Sequence, residues 1–225
     1  MSKTLLTASH IVKYFSDRKI LEFERLTVYE GDRIGIVGAN GAGKTTLLNI
    51  LSGDLPPDEG TVYREVPVSY FKQFRARPQA SDSRSVKELG LSGKLSRERL
   101  SGGEMTRLGL AAMEGGSLLT FADEPTANLD AEGVELCCRR LEECVTLLLI
   151  SHDRAVLDRL CTRIIEVKDG ALHFYTGNFT AYREQREQEF RRQEFEYQQY
   201  RSEKARLEAA ARERNQASRS VRKAP

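Results

Sequence analysis

The 225-residue sequence contains no tryptophan and no long apolar segment. No apolar run approaches the roughly 20 residues that a helix needs to span a bilayer. The first six residues, MSKTLL, lack the apolar region of a secretory signal peptide. We therefore expect a cytoplasmic protein, which would require a separate partner for any role at a membrane.

Cysteine is also scarce, and none of it has the spacing of a structural zinc site. The four cysteines are Cys137, Cys138, Cys144 and Cys161. Three of them fall in one segment with a helical pattern, without a paired Cys-x-x-Cys motif. The sequence therefore predicts reduced, partly buried thiols.

The charge is small overall but unevenly distributed. The chain has 35 basic and 33 acidic residues, for a formal net charge of +2. Residues 181–225 hold 12 basic and 8 acidic ones, which leaves 23 basic against 25 acidic for the rest. Residues 184–206 contain no Leu, Ile, Val or Met. We predict a globular domain over 1–182 and a charged helical segment over 183–225.

Strand-type runs alternate with helical patterns through the predicted globular domain. Residues 4–37 are β-rich. Further strands are predicted near 66–71, 118–122, 146–150 and 163–167, and helices near 45–51, 103–114, 131–144 and 153–161. This alternation predicts an α/β fold with a mostly parallel sheet that helices cover on both faces.

A glycine-rich loop connects the predicted strand 33–37 to the predicted helix 45–51. Its sequence, GANGAGKT, fits G-x-x-x-x-G-K-[ST] without a mismatch. A chance glycine-rich turn is the alternative, and the flanking strand and helix disfavour it. Backbone N–H groups of such a loop surround phosphate oxygens, the lysine contacts the β- and γ-phosphates, and the hydroxyl binds Mg²⁺. The candidate nucleotide contacts are Gly38, Asn40, Gly41, Gly43, Lys44, Thr45 and Thr46.

A second candidate motif follows the predicted strand 118–122. Asp123 and Glu124 come directly after this apolar run. Asp123 is placed to hold Mg²⁺ through water, and Glu124 to act as the general base for an attacking water. Because two adjacent acids often form only a polar strand end, the motif is of moderate strength alone.

Leu100–Glu104, with the sequence LSGGE, resembles the signature of the ATP-binding cassette (ABC) family. The resemblance implies that these residues cap the γ-phosphate bound to an opposing cassette. That partner would be a missing C-terminal half or a second copy of this chain. The implied contacts are Ser101, Gly102, Gly103 and Glu104.

Four other positions match the family in the same chain order. Gln73 matches the residue that senses Mg²⁺ and the attacking water, and Asp130 the loop that couples the two sites. His152 matches the switch histidine at the γ-phosphate. Phe15 matches the aromatic that stacks on adenine, with Tyr14 as the alternative. The resemblance covers about residues 4–182.

Four segments are similar to the soluble ABC-F branch of the family, which acts on ribosomes. They are Leu100–Arg107, Glu124–Asp130, His152–Asp158 and Tyr175–Tyr182. The resemblance implies a P-loop cassette with an antiparallel β subdomain and a C-terminal charged helix. Only 26 residues separate Gln73 from Leu100, which predicts a shortened α-helical subdomain. The resemblance also implies an ATPase that serves as a translation factor or in antibiotic ribosomal protection. The alternative is the ATPase subunit of a membrane ABC transporter.

The charged segment has one sparse apolar stripe. At 100° per residue, all but one of its large apolar side chains fall within an arc of about 100°, and they are Phe179, Tyr182, Phe190, Tyr197, Tyr200 and Leu207. The exception, Phe195, points elsewhere. This stripe is suited to a second helix, so we expect an interdomain linker that is truncated here. The basic residues after Arg212 suit ribosomal RNA phosphates, although a solvated charged helix explains any one of them equally well.

Overall fold

The computed structural model describes residues 3–72 and 117–221, with side chains up to residue 204. In chain order, the elements are β1 (Thr4–Phe15), β2 (Arg18–Tyr29), β3 (Arg33–Val37), α1 (Lys44–Ser52), β4 (Glu59–Arg64), β5 (Ser69–Phe71), β6 (Thr120–Asp123), α2 (Ala131–Glu142), β7 (Leu147–Ile150), α3 (Arg154–Leu160), β8 (Arg163–Lys168), β9 (Ala171–Thr176) and α4 (Phe179–Val221). The chain forms two compact units, Met1–Tyr182 and Arg183–Pro225.

A three-stranded antiparallel sheet has the order β2-β1-β4. The β1–β2 hairpin closes between Phe15 and Arg18, and its register shifts between Lys13 and Tyr14. Alternating burial along β1 and β2 directs one face of the sheet into the core. This sheet is the antiparallel β subdomain that the family resemblance implies.

The central sheet has six strands in the order β5-β6-β7-β3-β8-β9. All neighbouring pairs are parallel except β8 and β9. Strands β6 and β7 are buried at every residue, as expected where both faces are covered. The predicted mostly parallel sheet is confirmed.

The helices begin and end at recognisable capping residues. α1 starts after Gly43 and ends at Gly53, and both glycines have a left-handed conformation. The Asp130 carboxylate accepts from the Gly133 N–H at the start of α2, and that of Asp153 accepts from the first N–H groups of α3. The predicted helices at 45–51, 131–144 and 153–161 are confirmed. The predicted helix 103–114 and the shortened helical subdomain lie outside the described residues.

Arg33, at the start of β3, joins the ends of two helices to the central sheet. Its Nε donates to the Leu160 carbonyl of α3 at 2.7 Å. Nη2 donates to the Leu141 carbonyl of α2 at 2.9 Å, and Nη1 to the Cys144 carbonyl at 3.0 Å. Carbonyls at the C-terminal end of a helix lack intrahelical partners. One guanidinium therefore replaces water at both helix ends.

The four cysteines are free thiols, and three of them are buried. Cys137, Cys138 and Cys161 pack in the apolar cluster between α2, α3 and the central sheet. Burial raises the pKa of Cys137 and of Cys161 to about 12. Both are therefore protonated, apolar core residues at neutral pH.

The long helix α4 starts in the first unit. Phe179 and Tyr182 pack against the apolar cluster that includes Val156, Leu157 and Tyr175. Asp158 of α3 accepts hydrogen bonds from the Thr180 N–H at 2.7 Å and from its hydroxyl at 2.8 Å.

Within the second unit, the aromatic side chains of α4 point into solvent. Phe190, Tyr197 and Tyr200 are all more than half exposed. Ion pairs at i,i+4 spacing, Glu187–Arg191 and Arg192–Glu196, lie along its surface. No helix in the described ranges is both long enough and apolar enough to span a lipid bilayer.

Candidate functional site

The glycine-rich loop lies between the carboxyl end of β3 and the first turn of α1. Gly38, Gly41 and Gly43 have φ values of 146°, 76° and 106°, which side chains other than glycine rarely adopt. A Cβ at Gly38 would lie 2.4 Å from the Val167 carbonyl oxygen. The loop therefore needs glycine both for its curvature and for its close contact with β8.

Lys44 folds back over this loop. Its Nζ donates to the carbonyls of Gly38 at 2.9 Å and Ala39 at 3.0 Å. Burial lowers the pKa of Lys44, and the nearby Glu124 and Asp123 carboxylates oppose that shift. The structure thus holds a cation where a phosphate ligand would need one. Of the remaining loop contacts, Asn40 is exposed and Thr46 is half-buried.

Thr45 and Asp123 meet although they are far apart in sequence. The Thr45 hydroxyl donates to Oδ2 of Asp123 at 2.8 Å. Asp123 ends β6, and burial raises its pKa, while the Thr45 hydrogen bond and the Lys44 charge act against the rise. A hydroxyl and a carboxylate are oxygen donors of the type that Mg²⁺ prefers. The residues present therefore fit this ion.

Glu124 is held between the ends of β6 and β7 in a strained conformation. Its φ is 50°, in the left-handed region, and its N–H donates to the Ile150 carbonyl at 2.9 Å. This backbone bond keeps the residue in a conformation that a glutamate rarely adopts. The side chain is consequently aimed at the loop after β7.

The Glu124 carboxylate faces His152. Oε2 accepts from the His152 N–H at 3.3 Å, and the imidazole Nε2 lies 3.3 Å from Oε1. The Nε2–Oε1 contact does not have the geometry of a hydrogen bond. Oε1 is therefore buried without a hydrogen-bond partner in the described part of the chain. Burial raises the pKa of Glu124, and the His152 charge opposes this. An inward-facing carboxylate oxygen with a raised pKa suits a proton acceptor.

The candidate adenine contacts lie at the tip of the β1–β2 hairpin. Phe15 is 49% exposed and Tyr14 is 42% exposed, so both rings are available to a ligand. The same hairpin packs on the glycine-rich loop, since a Cβ at Gly43 would lie 3.0 Å from Cγ2 of Ile20. The aromatic pair and the phosphate loop therefore belong to one packed unit.

Asp130 serves locally as the cap of α2, and its Oδ1 accepts from the Gly133 N–H at 2.9 Å. Asn128, two residues before it, has a φ of 63°.

Five candidate site residues lie outside the described residues: Gln73, Ser101, Gly102, Gly103 and Glu104.

A cavity of about 390 Å³ opens beside the glycine-rich loop. The loop backbone at Gly38 and Ala39 forms one wall, and Ser151 and His152 form another. Arg154 and Glu166 also line it, and the sequence reading assigned no role to either. Arg154 falls within the ABC-F-like segment His152–Asp158, although no role was predicted for it, whereas Glu166 lies outside every predicted motif and reaches the cavity through the fold.

The ABC transporter family profile (ABC_tran) matches residues 22–127, which include the glycine-rich loop, Asp123 and Glu124. The chain is 33% identical over 196 residues to the erythromycin resistance ATP-binding protein MsrA of Staphylococcus epidermidis, covering 84% of this chain and 40% of MsrA. The segment that this profile matches, residues 22–127, is an ATP-binding cassette domain.

Two further relatives of this cassette have names that refer to translation. It is 33% identical over 217 residues to the energy-dependent translational throttle protein EttA of Escherichia coli K12, covering 82% of this chain and 39% of EttA. It is 30% identical over 194 residues to the ribosome protection protein VmlR of Bacillus subtilis 168, covering 83% of this chain and 36% of VmlR. The predicted similarity to the ABC-F branch is confirmed. The cassette spans about 40% of the length of these relatives.

Among solved structures, a dimeric ATP-binding cassette in a post-hydrolysis state with ADP and phosphate matches with a TM-score of 0.64. The match covers 76% of this chain and 98% of that one, at 22% identity. At this identity the likeness establishes the fold, and the predicted P-loop cassette fold is confirmed.

Proposed function

We propose that the chain binds Mg-ATP and hydrolyses it when two cassettes close on the nucleotide, and that it does so on the ribosome. The observation that carries the proposal is the convergence of Lys44, Thr45, Asp123 and Glu124 at one end of the central sheet. In this proposal residues 1–182 are the ATPase cassette and residues 183–225 the start of a linker.

Binding begins at the glycine-rich loop. Gly38, Gly41 and Gly43 allow the loop backbone to surround phosphate oxygens, and Lys44 exchanges its two carbonyl partners for the β- and γ-phosphates. Asn40 and Thr46 complete the phosphate contacts. Adenine stacks on Phe15, or on Tyr14 next to it.

Thr45, Asp123 and Gln73 are the proposed residues that hold Mg²⁺. The hydroxyl–carboxylate pair at 2.8 Å supports this assignment for the first two. When bound, the ion neutralises charge on the β- and γ-phosphate oxygens. Thr45 would give up its hydrogen bond to Asp123 when its hydroxyl oxygen binds the ion.

Hydrolysis requires a water placed against the γ-phosphorus. Glu124 accepts a proton from this water through Oε1, the water oxygen forms the new bond to phosphorus, and the bond to the β-phosphate oxygen breaks, which releases ADP. The buried Oε1, without a hydrogen-bond partner in the described ranges, supports this role. His152 orients the γ-phosphate and the carboxylate.

A single cassette supplies only one side of this site. Ser101, Gly102, Gly103 and Glu104 of an opposing cassette would cap the γ-phosphate, and Asp130 would couple the two sites. ATP then shifts the equilibrium toward the closed pair because it contacts both halves only in that state. Loss of the γ-phosphate reopens the pair.

The ribosome is the proposed partner because the names of EttA and VmlR refer to translation and to the ribosome. The basic residues after Arg212 are the part of the chain that we propose contacts ribosomal RNA phosphates. A protein that acts there is cytoplasmic. By analogy with MsrA and VmlR it would confer antibiotic resistance by protecting ribosomes, and by analogy with EttA it would tune translation.

Co-sedimentation with 70S ribosomes tests the proposal. We expect Glu124→Gln to sediment with ribosomes in Mg-ATP and to stay in the supernatant in Mg-ADP. The matched control is Lys44→Ala, which should not sediment in either nucleotide. Absence of ATP-dependent sedimentation of Glu124→Gln at low salt would overturn the ribosomal role. Recovery of the protein with membrane fractions would instead favour a transporter subunit.

A further inference from the structure

The tip of the β1–β2 hairpin is held by a carboxylate from outside the hairpin. A register shift between Lys13 and Tyr14 interrupts the strand pairing. At this bulge the Tyr14 N–H donates to Oδ2 of Asp58 at 2.6 Å. Bulges leave backbone groups without ladder partners, and Asp58 accepts the hydrogen bond instead.

The second Asp58 oxygen binds the residue before Tyr14. Lys13 Nζ donates to Oδ1 of Asp58 at 3.0 Å and to the Pro56 carbonyl at 2.9 Å. Lys13 is only 7% exposed, so its ammonium group depends on these two acceptors in place of water. We refer to Lys13, Tyr14 and Asp58 as the hairpin clamp.

The clamp joins the two parts of the proposed nucleotide site. Asp58 lies in the short connection between α1, which begins at Lys44, and β4. Its own N–H donates to the Val12 carbonyl at 2.9 Å, so it binds β1 through backbone and side chain together. The hairpin tip, with its exposed Tyr14 and Phe15, is thereby tied to the segment that follows the phosphate-binding helix.

The carboxylate of Asp58 is stabilised by the two groups that donate to it. The Tyr14 N–H, and next the Lys13 ammonium, hold the pKa of Asp58 below its usual value of 3.8. Asp58 is therefore an anion with two donors fixed to its two oxygens. Such a pair of directional contacts fixes the position of a hairpin tip more closely than apolar packing alone.

We propose that Asp58 is a positioning residue for adenine recognition, which fixes the aromatic hairpin tip at the correct distance from the phosphate loop. This inference rests on the proposed binding of ATP by the cassette. Asp58 does not touch the nucleotide and acts through Lys13 and Tyr14. Its removal releases the tip, so adenine loses its stacking surface, while the phosphate loop and Glu124 keep their geometry.

The test compares ATP with inorganic tripolyphosphate, which offers the phosphates without the base. Affinities of the full chain for both, with Mg²⁺, are measured by calorimetry. We expect Asp58→Ala to weaken ATP binding by about tenfold, within the range for loss of one base–aromatic stacking contact. Tripolyphosphate affinity should stay within about twofold, since its phosphate contacts are intact. In steady-state assays KM for ATP should rise and kcat should not change.

Asp58→Asn keeps the size of the side chain and one acceptor, and we expect an intermediate loss. It also carries the test if Asp58→Ala does not fold. The matched control is Glu24→Ala, which removes the exposed His10–Glu24 pair of 2.8 Å on the same hairpin. This variant should bind both ligands as the unmodified chain does.

Phe15→Ala and Tyr14→Ala separate the failure of this inference from that of the proposed function. If an aromatic variant selectively loses ATP affinity and the Asp58 variants do not, the positioning role is wrong and the adenine site stands. Equal loss of ATP and tripolyphosphate affinity in the Asp58 variants also overturns the positioning role. If neither aromatic variant affects ATP binding, the adenine assignment itself is wrong.

Discussion

The hydroxyl of Thr45 and the carboxylate of Asp123 form a 2.8 Å hydrogen bond across 78 residues of sequence. Thr45 is at the start of α1 and Asp123 at the end of β6, so the bond joins the two nucleotide motifs directly. It holds two proposed Mg²⁺-binding groups together, and it keeps a buried carboxylate in the core of the cassette.

Asp123→Asn should stabilise the nucleotide-free chain and abolish its activity. Burial raises the pKa of Asp123, so the ionised carboxylate is unfavourable in the folded state at neutral pH, whereas an amide can still accept from Thr45. We expect the melting temperature to rise by about 2–4 °C, which corresponds to about 1 kcal/mol at this chain length. Thermal unfolding of both proteins measures this change.

The pH dependence of this difference follows from the direction of the pKa shift. The folded pKa lies above the usual value of 3.8, so the unmodified chain loses stability as pH rises from 3.8 through the folded pKa. The stability advantage of Asp123→Asn should therefore be present at pH 7 and vanish below about pH 4. A variant that is less stable at pH 7, or that retains Mg-dependent turnover, would contradict the assignment.

Glu124→Gln should separate binding from chemistry. The amide keeps the shape of the side chain but cannot accept the proton of the attacking water. We expect kcat to fall by about 10²- to 10⁴-fold with ATP affinity unchanged, the usual effect of losing a general base. Single-turnover hydrolysis and equilibrium binding measure the two quantities. Normal turnover would rule out Glu124 as the base.

Arg33→Ala should destabilise the fold strongly. Its guanidinium donates to three carbonyls, at 2.7, 2.9 and 3.0 Å, and each hydrogen bond contributes about 1 kcal/mol. We expect a loss of about 2–3 kcal/mol in urea unfolding. The control is Arg139→Ala, which removes an exposed ion pair with Glu135 and should change stability by less than about 1 kcal/mol. Equal effects of the two variants would show that Arg33 does not act through its carbonyl contacts.

Arg159 should control the ionisation of Glu135 between α2 and α3. Hydrogen bonds from Arg159, and next from Arg139, lower the pKa of Glu135 to about 2. The resulting stabilisation is complete above pH 4.5 and is lost as pH falls through about 2. Carboxyl NMR titration should show the Glu135 pKa rising toward 4.5 in Arg159→Ala. The rise should be smaller in Arg139→Ala, and an unchanged value in Arg159→Ala would contradict the assignment.

Locally encoded features could be read from the sequence. The strand 33–37, the glycine-rich loop and the capped helices depend on residue patterns within one segment, and they are confirmed. Strands β4 and β9 were missed because EGTVYR and ALHFYT are short and half polar, and are defined by their partners in the sheets. Pairing with β1 and β8, respectively, stabilises them.

Contacts between residues that are far apart in the chain could not be predicted from local sequence patterns. The bond between Lys13 and Asp58 spans 45 residues, and the bonds of Arg33 span 108 to 127. The strained backbone of Glu124 likewise arises from its bond to Ile150 in the next strand. No local pattern encodes these contacts, because the fold alone brings the partners together.

The dependence of ATP turnover on chain concentration tests the central claim most directly. Turnover per chain is measured with saturating Mg-ATP over a range of concentrations, with molecular mass determined in parallel. We expect turnover per chain to rise with concentration as pairs form, and Glu124→Gln to accumulate as a dimer in ATP. A constant turnover per chain in samples that stay strictly monomeric would contradict hydrolysis by paired cassettes.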